Sequence, residues 1–236
     1  MTEHVEKRLL SATCKRNSAK QYGNTRKCTS NPLFPLLLSS SPPYPIHRTP
    51  YPIQYIIQTS ITNLPLPYLS IATTQKMIQA SDILRISIYA TTQNRARLGE
   101  TCAELHIPNA VEHADKTAFS MWIPSISQHF DRATPASVIL VGIESHICIT
   151  QTTLDLLAHG HQVYVLADGI SSCNPQEIPI ALARLRAAGA VVTTSESIMY
   201  EMMGDASIPE FKAIATLVKE SSASTKDVMS TLLSKM

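Results

Sequence analysis

The chain has 236 residues, 44% of them hydrophobic, enough for one large globular domain or two small ones. Its net charge of +2 is a cancellation of +6 over residues 1–70, where eight Lys or Arg face only Glu3 and Glu6, against −4 over residues 71–236. The basic excess therefore gives no argument for nucleic acid as a partner, and no run reaches the roughly 18 to 20 apolar residues that span a bilayer.

Residues 1–70 carry nine of the 15 prolines. A stretch such as residues 36–45 has neither helical nor strand period, and proline at this density removes backbone donors, so the segment reads as mostly disordered. Its basic, acid-poor composition fits an organelle transit segment, which would place the chain in mitochondria. Translated non-coding sequence joined to a genuine exon fits equally. The one β-prone run here is QYIIQTSI, residues 54–61.

From residue 71 onward helices and strands alternate. A helix is expected over residues 74–81, then a β-rich run over 83–92, a short strand at 110–113, and loop plus helix over 119–130. SVILVGI, residues 137–143, is a continuously apolar strand of the kind buried on both faces, and the helix pattern of residues 149–159 stops at Gly160. Residues 162–167 form the next buried strand. Asn174, Pro175 and Glu177 stand at cap and first-turn positions of a helix that runs to Gly189. A strand over residues 190–194, a helix capped by Ser195 and a last helix from Pro209 to Lys219 follow.

This alternation implies an α/β fold with a parallel sheet, whose reactive groups collect at the carboxyl ends of the strands. Two residues there carry chemistry. Cys148 follows the buried strand by a tight turn and opens the next helix, where backbone N–H groups favour a thiolate and the Ile147 and Cys148 amides can receive an oxyanion. Lys116 lies by the end of the preceding strand and can direct a positive charge into the same crevice. His146 lies in the nucleophile turn, and Gln93 and Asn94 stand at another strand end. His106 and His113 lack metal-ligand spacing, so no metal is expected, and no Gly-rich phosphate loop is present. Five scattered cysteines without a CxxC pair point to a reducing, intracellular and cytoplasmic setting. The terminal Ser234, Lys235 and Met236 offer a peroxisomal address as the alternative.

GIESHICI followed by QTTLDLLAHGHQVYVLADGISS resembles the isochorismatase-like cysteine hydrolases, and most closely their eukaryotic isochorismatase domain-containing branch. KTAFSMW and TTQNRARLG extend the resemblance over residues 71 to about 220, leaving residues 221–236 as a tail. It implies a three-layer α/β/α sandwich with Cys148 as nucleophile, Lys116 as its catalytic lysine, and a cis peptide between Ile143 and Glu144 in the oxyanion turn. Gln93, His146 and Phe119 become candidate substrate contacts, a small amide or related acyl compound the substrate, and a homo-oligomer the assembly, without a cofactor. The pattern departs in one place: the Asp that ends the first strand of these enzymes is absent, because this sequence has no Asp before Asp82. The first strand is therefore expected to be missing or replaced, with residues 54–61 drawn into the gap, and the alternative to an impaired hydrolase is a non-catalytic binding or scaffold protein.

Overall fold

The computed structural model describes residues 52–59, 67–131 and 133–233, all within the compact unit Pro42–Met236. The character of residues 1–51 and the terminal Ser234, Lys235 and Met236 lie outside them. Six described strands, β1 (Ile53–Thr59), β2 (Ser87–Gln93), β3 (Ala110–Lys116), β4 (Ser137–Ile143), β5 (Gln162–Ser171) and β6 (Val191–Thr193), form one sheet in the order β3-β2-β1-β4-β5-β6. Every pairing is parallel.

All seven residues of β4 are buried, as its unbroken apolar sequence requires of a strand covered on both faces. Side chains alternate across the sheet. Ile56 joins Leu140, Ile149, Leu156 and Leu182 on one side, and Ile57 joins Met77, Ile139, Val141 and Met199 on the other. The first side carries α4 (Thr150–Ala158) and α5 (Glu177–Ala187); the second carries α1 (Pro67–Leu84), α6 (Ser195–Met203) and α7 (Phe211–Glu220). Helices α2 (Arg95–Leu98) and α3 (Pro124–Ser127) are single turns on the connections flanking β3. The result is the three-layer α/β/α sandwich.

The sheet includes β1, which lies ahead of the boundary expected at residue 71. Ile56 pairs with Tyr89 on one side and Leu140 on the other. An empty slot there would leave rows of backbone donors and acceptors unpaired in the middle of the sheet, and a run with isoleucines on both faces is drawn in. Residues 221–236 are likewise more than a tail. Within them α8 (Ser222–Val228) buries Val228 completely, and Thr225 accepts a hydrogen bond from Lys76 of α1 at 2.9 Å.

Several boundaries also move. Residues 83 and 84 are helical, and β3 extends to Lys116 itself. Helix α5 starts at Glu177, with Asn174 in the turn before it accepting from the Glu177 N–H at 3.1 Å. Thr194, not Ser195, caps α6, because the buried Asp168 carboxylate takes both the N–H and the hydroxyl of Ser195.

If β1 is the central strand, Ile56→Ala should lower unfolding stability by about 2 to 5 kcal/mol through the cavity it leaves. Denaturant titration of the full chain checks this; a change within about 0.5 kcal/mol, as at a surface position, contradicts the placement.

Candidate active site

In an open parallel sheet a crevice opens at the carboxyl ends of the strands where the connection reverses direction. Here that point lies between β1 and β4, at the level where Gln58 pairs with Gly142. Gly142 has a φ of 123°, a conformation that favours glycine, and the next peptide, Ile143–Glu144, is cis, as the sequence pattern implied. The chain then enters a π-helical turn, Ser145–Ile149, that leads into α4. Three threonines fix this entry by hydrogen bonding back to carbonyls: Thr150 to Ser145 O, Thr152 to Cys148 O and Thr153 to Ile149 O, at 2.7, 2.6 and 2.7 Å. Thr152 also accepts from the Met121 N–H at 2.8 Å, tying the segment after β3 to the turn that carries Cys148.

Cys148 is 6% exposed, and Lys116, the last residue of β3, is 4% exposed. They converge, with Nζ 4.0 Å from Sγ. The Lys116 ammonium also reaches Gln93 Oε1 and the carbonyls of Ala118 and Phe119, the latter two at 3.0 Å. Burial pushes the Cys148 thiol up, against the pull of Lys116 and a backbone hydrogen bond from Glu144; the Glu144 carboxylate adds to the rise. Withdrawal from water thus opposes the thiolate that helix position alone would favour. Burial also pushes Lys116 down, opposed by Cys148 and Asp115.

The other expected site residues divide. The Ile147 N–H donates to the Glu144 carbonyl at 3.2 Å, within the turn. Gln93 is held at both ends of its amide: its Oε1 accepts from Lys116 and its Nε2 donates to Thr117 O at 3.0 Å. Phe119 contributes its carbonyl, while its side chain is among the large exposed hydrophobics. His146 Nδ1 lies 3.1 Å from Ser172 Oγ and 4.0 Å from the Glu144 carboxylate.

Sequence reasoning missed one cluster. Ser172 accepts from the Ser145 N–H at 3.0 Å and bonds its hydroxyl, and Cys173 donates its N–H and thiol to the two Glu144 oxygens at 2.8 and 2.7 Å. The Ser-Ser-Cys run after β5 was its only signal. Burial and the Glu144 carboxylate push the Cys173 thiol up to about 11. Because Glu144 raises both thiols, Glu144→Gln should make both more acidic and speed Cys173 alkylation at mildly alkaline pH by roughly tenfold or more. Peptide mapping after brief iodoacetamide exposure reads this, and an unchanged Cys173 rate contradicts it.

A separate groove of about 920 Å³, lined by Trp122, Phe130, His159 and His161 among others, lies at the other end of the sheet, beside the residues that precede β4 and β5. Among the described residues no group of three or more His, Cys, Asp or Glu is arranged to hold a metal, and no helix is long and apolar enough to cross a membrane.

Known proteins share this architecture and sequence. A secreted isochorismatase effector, Isc1, of Phytophthora sojae is 40% identical over 153 residues, covering 62% of this chain and 73% of that protein. Isochorismatase domain-containing protein 1 of Salmo salar is 38% identical over 148 residues, 62% of this chain but only 52%, about half, of its own length. The structure of MAR1 ribonuclease from Caenorhabditis elegans superposes with a TM-score of 0.68 at 32% identity, covering 73% of this chain and 92% of that one. The isochorismatase domain model itself matches residues 69–197, more than half of the sequence, and the chain belongs to the isochorismatase family of hydrolases.

Proposed function

We propose that this chain hydrolyses a small amide or related acyl compound through Cys148. The observation that carries the reading is the meeting of a buried thiol and a buried lysine, 4.0 Å apart, at the reversal point of a parallel sheet. In this mechanism the Cys148 sulfur attacks the acyl carbon while Lys116 holds positive charge beside the sulfur as it becomes anionic. Backbone N–H groups of this turn, among them that of Glu144, which faces the sulfur, would receive the oxygen of the tetrahedral intermediate. The leaving group departs protonated, and water then cleaves the thioester to regenerate the thiol.

Two further readings have specific support. A non-catalytic binding role is favoured by the absence of a carboxylate from the described β1, IQYIIQT, and by the raised Cys148 thiol. RNA cleavage is suggested by the name of the nematode relative. The −4 balance of residues 71–236 opposes it, because a polyanion is held chiefly by Lys and Arg. Steady-state assays of the full chain on a panel of small amides, small esters and an RNA oligonucleotide separate the three. Hydrolysis confined to small acyl compounds supports the proposal; cleavage of RNA alone, or of nothing, overturns it.

A further inference from the structure

We infer that Gln93 is a positioning residue that completes a three-acceptor cradle around the Lys116 ammonium and so holds a positive charge beside the Cys148 sulfur. The inference rests on the proposed role of Cys148, and its argument begins with donor counting. A lysine ammonium has three N–H donors and no acceptor, whereas the neutral amine has two donors and a lone pair. Among the described residues Lys116 meets three oxygens, Gln93 Oε1, Ala118 O and Phe119 O. Three oxygens match the ammonium one for one. The neutral amine would set its lone pair against one of them, so the cradle selects the charged form despite 4% exposure.

Of the three acceptors only Gln93 supplies a side chain, and its orientation is determined. Its Nε2 donates to Thr117 O at 3.0 Å, which leaves Oε1 toward the lysine; the flipped amide would point its N–H groups at the cation and its oxygen at the Thr117 carbonyl oxygen. The Asn94 N–H donates to Lys116 O at 2.8 Å, joining the ends of β2 and β3 next to the cradle. With its donors directed at oxygen, Lys116 acts on Cys148 at 4.0 Å through its charge. The charged groups that bear on the pair are few. Lys116 feels Cys148 from the nucleophile turn and Asp115 from its own strand, and Cys148 feels Lys116 and Glu144.

The test is the pH dependence of Cys148 alkylation by iodoacetamide in the full chain, followed by peptide mapping, which needs no substrate. Gln93→Leu and Gln93→Met should each raise the midpoint by about one pH unit, roughly a tenfold slower reaction at neutral pH. Lys116→Met should raise it at least as far, and the double variant Gln93→Leu/Lys116→Met no further than Lys116→Met alone. Unmoved midpoints in the Gln93 variants, or effects that add in full, would overturn the inference, since a merely structural role does not act through the lysine. If neither Gln93 variant folds, nitrogen-detected NMR of wild-type Lys116 decides: an ammonium at neutral pH supports the cradle and a neutral amine overturns it. Shifted midpoints in a chain that hydrolyses no acyl compound would remove the hydrolase proposal and leave this one standing; normal turnover with unmoved midpoints would do the reverse.

Discussion

Cys148→Ala is expected to lower acyl hydrolysis by roughly 10⁴-fold or more, with the loss in kcat and little change in KM. Among the described residues, the other thiol and hydroxyls near Cys148 are already engaged. Cys173 is held as a thiol with a pKa of about 11 by burial and Glu144, and the Ser145 and Ser172 hydroxyls are bonded to each other. Serine at position 148 should do scarcely better, because a hydroxyl beside one ammonium ionises far less readily than a thiol. Purified Cys148→Ala and Cys148→Ser, with thermal melting as the check on folding, give the comparison. Activity within tenfold of the parent in both would transfer the chemistry to another group.

Gln58→Asp is expected to raise the rate by about 10² to 10⁴, the usual contribution of a positioned general base. Position 58 pairs with Thr91 of β2 and Gly142 of β4, at the reversal point itself. The Cys148 thiol is pushed up by burial. The native chain must then ionise Cys148 with help only from Lys116 and backbone donors, so its rate should climb as pH rises from neutral toward the thiol's pKa. Steady-state kinetics of the two chains against pH test both statements. Equal rates at neutral pH would mean that a carboxylate already present, with Glu144 the first to replace, serves as the base.

Much of this was legible in the sequence because it rests on local pattern. SVILVGI announces a strand buried on both faces, and all seven residues are buried; the family resemblance carried by GIESHICI implied the cis peptide, which the structure has. The entry of residues 53–59 into the sheet followed from the gap that a missing first strand would leave. What sequence could not supply was contact between distant side chains. No spacing rule shows that the Gln93 amide is bound at both ends or pairs Glu144 with Cys173. The direction of the Cys148 shift was misjudged for a related reason. A helix start is visible in sequence, but the depth of burial that outweighs it belongs to the assembled layers. The C-terminal boundary was missed likewise, because Val228 is buried only by elements far away in the chain.

The most direct test of the central claim is to trap the covalent intermediate. The full chain is mixed with p-nitrophenyl acetate, quenched in acid within the first turnover, and digested for peptide mass spectrometry. One acetyl group on the peptide containing Cys148, formed with a stoichiometric burst of p-nitrophenol and absent from Cys148→Ala, is the predicted result. Turnover of the ester with no acetyl group on Cys148 at any time, or acetylation that appears unchanged in Cys148→Ala, would contradict it.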